Sequence, residues 1–514
     1  MSRLATRTSL VLFFLLNLAL VSAQDLREQV STTTLDNGMR VIMVEQDAAP
    51  VISFNLMFDV GGIDEPDGLG GIAHMVEHMA FKGTQTIGTD TPDLEEQALE
   101  KVEVLALSLE WLRKNGTEEE IAEAQAAFLE AREEAKVLAS PNALDMLFDA
   151  NGGVGLNAST GYDRTDYVIS MPSNRLELYA RVYADILRDT VFRSFYEERD
   201  VVREERRQRS EDDPQGVLFE EFLGQAYQVH PYGRPLIGAP NELESYLATE
   251  AEAFFERYYD PNRAVLVLVG DVEPERDIEI LERYFGVLEQ APDARPNIPN
   301  EPDQTQERRS SVTFDAEPQL AVGYHKPTYP DRDAYVMDVI DAVLSAGRTS
   351  RLFERMVVED QVALDVFTTS AFPGIREPNL FVFGGAPRFP NTNADMERVF
   401  YEEVERLKNE PVTERELEKV KNQVRAGFIR GLGSGSGLAS QLAFYELFLG
   451  GWDGILEYEE IINSVTAEEV QEVAQRVFSE DNRTVVTLES TTPPEGSAND
   501  TSEATSETTE ESNP

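Results

Sequence analysis

The sequence predicts an α+β protein of two homologous domains, each a β-sheet covered by helices. Apolar strands alternate with amphipathic helices along the chain, and 514 residues with an apolar fraction of 41% exceed one ordinary core. The two predicted domains also end alike: residues 260–266 (Asp-Pro-Asn-Arg-Ala-Val-Leu) resemble residues 480–486 (Glu-Asp-Asn-Arg-Thr-Val-Val), and each segment follows a helix with acidic residues in its first turn. We therefore expect two divergent copies of one unit.

Residues 1–23 have the pattern of a secretory signal peptide. Arg3 and Arg7 precede an apolar run at 10–20, and residues 21–23 (Val-Ser-Ala) offer a small-residue cleavage site. A membrane anchor is the alternative, but the run is shorter than the roughly 20 apolar residues that span a bilayer. No later stretch is long and apolar enough to span. We expect a periplasmic or secreted chain without stable membrane insertion after cleavage.

Composition excludes several classes of function. The chain has no cysteine, which rules out disulfides, thiol catalysis and cysteine–zinc sites. The 95 acidic and 45 basic residues give a net charge of −50, which opposes nucleic-acid binding because phosphate contacts need a basic surface. The acid excess is spread along the chain, and it fits either a salt-rich habitat, where ions screen repulsion, or an ordinary acidic surface.

The predicted N-terminal domain covers residues 24–289. A strand pair around Asn37-Gly38 leads to a strand at 51–60 and a helix at 71–81. Two charged helical stretches, broken at Asn115-Gly116, predict a helical hairpin inserted at about 92–139. The other predicted elements of this domain are a strand at 155–169, helices at 176–188, 196–209 and 249–258, and a strand at 264–269.

Residues 290–309, rich in Pro, Asn, Asp and Gln, predict a linker to a C-terminal domain at 310–489. That domain has a predicted strand at 319–324, a helix at 332–344, a strand at 379–384 and further helices, with a hinge or helix break at 431–437. Residues 490–514 are Ser, Thr, Glu, Asn and Pro with almost no large apolar residue, which predicts a disordered acidic tail.

Two of the chain's four histidines lie in the pattern His74-x-x-Glu77-His78, on the predicted helix at 71–81. Residues four apart share one face of a helix, so both imidazoles can bind one tetrahedral Zn²⁺. Glu77 projects near the same face, where it can act as general base towards a zinc-activated water. The second domain has no histidine at the equivalent residues 335–340, so it cannot hold a second such site.

A catalytic zinc site typically has three protein ligands, so a further ligand is required. The helix predicted at 196–209 supplies carboxylates: Glu198 and Glu205 are two helical turns apart and share a face. One can bind zinc while the other supports a histidine. By spacing alone, Glu204 is nearly as good a ligand as Glu205.

The chain resembles the pitrilysin family of inverted zincins, with their H-x-x-E-H motif, which includes the insulin-degrading enzymes and the mitochondrial and bacterial processing peptidases. The resemblance covers nearly all the chain between signal peptide and tail. Besides the zinc motif and the Glu198–Glu205 helix, it rests on residues 81–84 (Phe-Lys-Gly-Thr), 157–160 (Asn-Ala-Ser-Thr) with Asp163, Thr165 and Tyr167, 230–233 (His-Pro-Tyr-Gly) and 347–353 (Gly-Arg-Thr-Ser-Arg-Leu-Phe).

The resemblance implies one Zn²⁺ per chain, with Glu205 as third ligand and Glu198 as support for the site. It implies that the strand at Asn157 and Ala158 is the edge to which a substrate peptide adds as an extra strand. It also implies that the chain is half of a clamshell, completed by a second copy or by an inactive paralogue. The separation between His78 and Glu205 is longer than is common in the family, by about the length of the predicted hairpin.

We therefore expect an exported zinc metalloendopeptidase that hydrolyses peptides or unfolded polypeptides. The alternative is a non-catalytic or partner-dependent subunit of a heterodimeric peptidase, because relatives use an Arg and a Tyr from the second domain to hold substrate. The helix around 425–430 lacks the expected tyrosine, which leaves open whether a partner supplies that pair. His230 and His325, each beside a proline turn, are expected to be structural.

Overall fold

The computed structural model describes residues 23–46, 48–290 and 295–491. The predicted signal peptide up to residue 22 and the tail from residue 492 lie outside the described residues. Within the described ranges, no helix is long and apolar enough to cross a bilayer.

Two mixed sheets organise the described chain, which confirms the predicted α+β class. The first has the strand order β1-β2-β6-β3-β5-β4 and the second β7-β11-β8-β10-β9. The strands are β1 (Val30–Thr34), β2 (Arg40–Glu45), β3 (Val51–Phe58), β4 (Val154–Thr160), β5 (Thr165–Pro172), β6 (Ala264–Gly270), β7 (Arg308–Phe314), β8 (Gln319–Lys326), β9 (Ala363–Phe372), β10 (Asn379–Pro387) and β11 (Arg483–Ser490).

The two sheets share one topology. In each, a parallel pair (β2 with β6, and β7 with β11) is followed by three antiparallel pairings. The first sheet differs by one additional edge strand, β1. The second sheet begins at Arg308, inside the segment predicted as linker.

The described residues also form seventeen α-helices. They are α1 (Ala23–Gln29), α2 (Ile72–Ala80), α3 (Pro92–Asn115), α4 (Glu118–Lys136), α5 (Ala143–Ala150), α6 (Leu176–Asp189), α7 (Phe195–Arg206), α8 (Pro214–Ala226), α9 (Pro240–Leu243), α10 (Ala248–Tyr258), α11 (Pro274–Tyr284), α12 (Arg332–Ser345), α13 (Asn393–Asn409), α14 (Glu414–Gly431), α15 (Gly435–Phe448), α16 (Gly454–Ser464) and α17 (Ala467–Val477).

One segment that was predicted as a single strand forms two strands, and some helices and strands were not predicted. The strand expected at 155–169 is the hairpin β4–β5, whose turn is closed by the Gly161 N–H donating to the Arg164 carbonyl at 2.8 Å. Helix α8 was not predicted, although Asp213 caps it and Pro214 opens it. Strand β9 was also missed, because most of its residues are half-buried and show no alternation between buried and exposed positions.

Strand β6 is buried on both faces, which explains its continuous apolar run. Leu266 and Leu268 face the core beneath α2, α6 and α10, whereas Val265 and Val267 face the other way. The second face is covered by Leu442 and its neighbours on α15. A helix from the second half of the chain therefore completes the core of the first sheet.

The second sheet is covered in the reciprocal way. Phe222, on α8 of the first half, packs against Val486 and Leu488 of β11. Gly323 of β8 lies under the same ring, and a Cβ there would be 2.4 Å from a Phe222 carbon. Arg308 donates to the carbonyl of Ala226 at 2.6 Å, at the C-terminal end of α8. Each half thus supplies the helix that covers the other half's sheet.

The predicted hairpin is present as α3 and α4. Thr117 caps α4 and exchanges hydrogen bonds with Glu120 in a capping box. The hairpin packs on α7 through Phe128, whose ring meets the Tyr196 ring edge-on with centroids 5.0 Å apart. It therefore extends the first half next to α7 and leaves both sheets intact.

Replacement of Leu442 by alanine tests the contribution of α15 to the first sheet. Leu442 is fully buried, so we expect the free energy of unfolding to fall by about 2–5 kcal/mol. Denaturant titration measures this change. Leu107→Ala, on the exposed face of α3, is the matched control and should cost below about 0.5 kcal/mol. Equal effects of the two substitutions would contradict the interpretation.

Candidate metal centre

Helix α2 begins at a point that only glycine tolerates. Gly71 has a φ of 85°, and a Cβ there would lie 2.1 Å from the Ile237 carbonyl oxygen. The buried Glu65 carboxylate accepts hydrogen bonds from the backbone N–H groups of Gly71 and Ala73, at 2.9 and 3.0 Å. Burial raises the pKa of Glu65 to about 8, against the lowering effect of these bonds. Glu65 therefore fixes the first turn of α2, a role not identified from the sequence.

His74 and His78 lie on the face of α2 that meets α7. Their Nε2 atoms are 3.8 and 3.4 Å from the same oxygen, Oε2 of Glu205. One donor atom from each of the three residues falls within 4.8 Å of the others. Helix geometry explains the pairing, because residues four apart are one turn apart on the same face.

The donor set fits a zinc ion. Zn²⁺ bonds to nitrogen and oxygen at about 2.0–2.2 Å in tetrahedral sites, which sets ligand atoms roughly 3.3 Å apart. The distances from the Glu205 oxygen to the two imidazole nitrogens, 3.4 and 3.8 Å, are close to that spacing. Two imidazoles and one carboxylate also match the composition of catalytic zinc sites that keep a fourth position for water or substrate.

Glu198 holds His78 from the opposite side of the imidazole. Its Oε1 is 2.9 Å from His78 Nδ1, and its Oε2 is 2.5 Å from the Lys82 ammonium. With a proton on Nδ1 donated to Glu198, the Nε2 lone pair would be available to bind a metal ion on the side of Glu205. Burial raises the pKa of Glu198, but the bonds with His78 and Lys82 outweigh it and lower the pKa below its usual value. Lys82 was not singled out from the sequence as a site residue.

The two histidines differ in their surroundings. Burial lowers the pKa of His74 to about 4, and its Nδ1 has no hydrogen-bond partner among the described residues. Burial also opposes charge on His78, yet the bonds to Glu198 and Glu205 raise its pKa to about 9.

Glu204 and Glu205, which spacing left as alternatives, point in different directions. Glu204 is exposed and binds Arg207 at 2.6 Å and Gln208 at 2.8 Å. Glu205 turns its Oε2 to the histidines and its Oε1 to Arg209 at 3.2 Å. The hydrogen bond with His78 lowers the pKa of Glu205, which is therefore ionised at neutral pH.

Glu77 lies beside this cluster and is held by the edge strand. The Thr160 hydroxyl donates to Glu77 Oε2 at 2.6 Å. Burial raises the pKa of Glu77, and the bond from Thr160 partly opposes that rise. The other oxygen, Oε1, makes no hydrogen bond within the described part of the chain.

A cavity of about 510 Å³ opens next to Glu77 and His78. Strand β4, the edge of the first sheet, contributes Asn157 and Ala158 to its wall. Residues 139–142, which follow the α3–α4 hairpin, also line this cavity. The unpaired side of β4 therefore borders the same space as Glu77.

The other two histidines and the second-half helix lie outside this cluster. His230 Nδ1 accepts from the Tyr232 N–H at 3.1 Å, and His325 Nε2 is 3.0 Å from the Ala226 carbonyl oxygen. His325 therefore joins β8 of the second half to the end of α8, whereas the His230 bond lies within the first half. On α14, Arg425 binds Glu459 at 2.9 Å, and this helix contains no tyrosine.

The chain matches two family models. Residues 40–101 and 133–240 match the model described as Insulinase (Peptidase family M16), and residues 247–424 match the Peptidase M16 inactive domain. The residues between the two parts of the first match, 102–132, lie in α3, α4 and the turn between them.

Known proteins resemble the chain over most of its length. Zinc protease PqqE of Helicobacter pylori is 27% identical over 478 residues, 91% of this chain and 95% of PqqE. A crystal structure of a protease from Helicobacter pylori superposes with a TM-score of 0.75 at 25% identity, over 90% of this chain and 99% of that one. The periplasmic protease PqqL from Escherichia coli shares the fold, with a TM-score of 0.66 at 17% identity, over 90% of this chain and 48% of PqqL.

Replacement of Glu205 by glutamine tests its place among the candidate ligands. A neutral amide is a far weaker zinc ligand than a carboxylate, so we expect the purified Glu205→Gln chain to lose bound zinc. Glu204→Gln is the matched control, since its side chain points to Arg207, and it should keep its zinc. Metal analysis by mass spectrometry measures both. Zinc retained by Glu205→Gln and lost by Glu204→Gln would reverse the assignment.

Proposed function

The chain belongs to peptidase family M16, the pitrilysin-like family, and from this premise we propose that it is an exported zinc metalloendopeptidase acting on peptides or unfolded polypeptides. The observation that carries the proposal is the convergence of His74, His78 and Glu205 beside the buried carboxylate of Glu77. The zinc proteases among its relatives support the metal.

In the proposed mechanism, His74, His78 and Glu205 hold one Zn²⁺ and Glu198 keeps His78 in the correct tautomer. Bound zinc supplies Lewis acidity, which polarises the scissile carbonyl and lowers the pKa of water in the site. Glu77 takes the proton of the attacking water on Oε1, the oxygen not engaged by Thr160, and delivers it to the leaving amine nitrogen. Burial of Glu77 favours this role because it raises the pKa towards the working range of a general base.

We expect the substrate backbone to pair with the free edge of β4. An extended peptide added there satisfies the edge N–H and C=O groups near Asn157 and Ala158 and passes the cavity beside Glu77. Such pairing recognises the backbone more than the side chains. It therefore suits peptides and unfolded polypeptides, whose backbone is accessible.

The proposed function includes export of the protein and its assembly with a second chain. The pattern in residues 1–23 supports export to the periplasm or beyond, and the fold relative PqqL is described as periplasmic. This chain matches 48% of PqqL, so a second chain would supply the other half of the enclosure. That chain is either a second copy or an inactive paralogue. The net charge of −50 argues against nucleic acid as a partner.

A second candidate is a subunit that is inactive alone. It is favoured by the match of residues 247–424 to the inactive domain and by the absence of tyrosine from α14. In that case the chain binds zinc and either requires a partner to hold the substrate or takes no part in catalysis. The two candidates differ in whether the purified chain cleaves peptides by itself.

Activity assays on the wild type and on the Glu77→Gln variant distinguish these candidates. The mature chain should contain one zinc per chain and cleave a peptide mixture followed by mass spectrometry. Glu77→Gln should keep the zinc and lose cleavage by about 10²–10⁴-fold, because general acid–base catalysis contributes that much. A chelator should abolish wild-type activity, and added zinc should restore it.

The control for chain integrity is the thermal midpoint of both proteins, which should agree to within a few degrees. Full zinc occupancy without cleavage, both alone and with the candidate partner added, would contradict the peptidase proposal and favour a non-catalytic subunit.

A further inference from the structure

We propose that Thr160 is a positioning residue for the general base, and that the second half of the chain fixes Thr160 through Asp163. This inference rests on the proposed function of Glu77. It gives the second half of the chain, which does not contain the metal site, a role in orienting the Glu77 carboxylate.

The first step is the bond between Thr160 and Glu77. Thr160 ends strand β4 and is half-buried, and its hydroxyl is 2.6 Å from Glu77 Oε2. A glutamate side chain has three rotatable bonds, so a carboxylate without such a bond samples several orientations. Hydrogen bonds to a charged acceptor are short and strong. The Thr160 hydroxyl therefore selects one orientation and leaves Oε1 free for the proton.

The second step is the turn that follows Thr160. The N–H groups of Gly62 and Ile63 donate to the carbonyls of Gly161 and Tyr162, at 3.1 and 2.8 Å. A Cβ at Gly61 would lie 2.4 Å from the Gly161 oxygen, so only glycine allows this approach. The turn is thereby fixed to the segment that leads into α2.

The third step links this turn to the second half. Asp163 is 6% exposed, and its Oδ2 accepts the backbone N–H groups of Ile375 and Arg376 at 2.5 and 3.1 Å. Its Oδ1 accepts the Tyr232 hydroxyl at 2.6 Å. A Cβ at Gly374 would lie 2.4 Å from Asp163 Oδ2. The loop between β9 and β10 is therefore shaped to bind this carboxylate.

The same loop also binds the segment before α2. The Arg376 guanidinium donates to Asp59 at 3.0 Å and to both carboxylate oxygens of Asp64 at 3.0 and 2.9 Å. These aspartates are buried, and Arg376 neutralises part of their charge. The loop between β9 and β10 thus binds Asp163 in the turn after β4, and it also binds Asp59 and Asp64, which lie on either side of Gly61. A displacement of that loop would be transmitted to Thr160 and, through its hydroxyl, to Glu77.

The first experiment compares Thr160→Val, which removes the hydroxyl at nearly constant shape, with Thr160→Ser, which retains it. We expect Thr160→Val to lower kcat at least about tenfold with KM changed less than about twofold, since an orientation effect acts on the reacting state. Thr160→Ser should stay within about threefold of wild type. Zinc content and the thermal midpoint should not change in either variant.

Thr487→Val is the matched control. Thr487 is a half-buried strand residue of β11 whose hydroxyl donates to Ser311 at 3.1 Å, within the second sheet. We expect wild-type kcat and KM from it. Wild-type kcat in Thr160→Val, or equal losses in the valine and serine variants, would overturn the proposal.

Crystal structures of the zinc-loaded wild type and Thr160→Val provide a readout that does not require activity. We expect the Glu77 carboxylate to keep its orientation in the wild type and to rotate or become disordered in the variant. An unchanged Glu77 in Thr160→Val would overturn the positioning role. If the wild type binds zinc but cleaves nothing, the proposed peptidase function fails, while this structural comparison still decides the role of Thr160.

The link to the second half is tested by double substitution. Asp163→Asn weakens the link from the first half, and Gly374→Ala disturbs it from the second. Each should lower kcat, and combination with Thr160→Val should cost little more than Thr160→Val alone, because both act through the same hydroxyl. If the loss in kcat of a double variant equals the product of the two single losses, Asp163 and Gly374 do not act through the Thr160 hydroxyl. Thr160 would then be a local contact of Glu77 only.

Discussion

Each sheet in this protein buries one face under a helix from the other half of the chain. Val265 and Val267 of the first sheet lie under Leu442, and Val486 of the second lies under Phe222. An exposed sheet face of this kind would leave a large apolar surface in water. The two halves therefore stabilise each other, and neither core is complete without the other. The inserted hairpin, by contrast, adds to the surface of one half and leaves this exchange unaffected.

The candidate metal centre is built on the first of these sheets. Helix α2 is packed on the first sheet, its first turn is capped by Glu65, and α7 brings Glu198 and Glu205 against it. Of the two carboxylates, Glu205 faces both histidines, whereas Glu198 binds the far side of His78. The proposed division of roles, one carboxylate for the metal and one for the imidazole, follows from these positions.

The acidic composition affects how the halves meet. With a net charge of −50, contacts between the halves must accommodate carboxylates, and several are buried there. Arg376 lies between Asp59 and Asp64, while Asp163 is satisfied by backbone N–H groups and a tyrosine hydroxyl. Buried carboxylates that are fully hydrogen-bonded in this way impose a defined geometry on the groups around them. Thr160 and Glu77 lie at the end of that network.

The sequence alone determined the features of this protein that depend on local periodicity. The α+β class follows from the order of strands and helices, and the shared face of His74 and His78 follows from the pitch of a helix. Only the tertiary structure showed that Glu204 and Glu205 point in different directions, that residues 155–169 form a hairpin, and that α8 and α15 each cover the sheet of the other half. It also showed which groups Glu65, Thr160 and Asp163 bind. The partners of Thr160 and Asp163 are far away in the chain, and spacing along one segment carries no information about which distant segment packs against it.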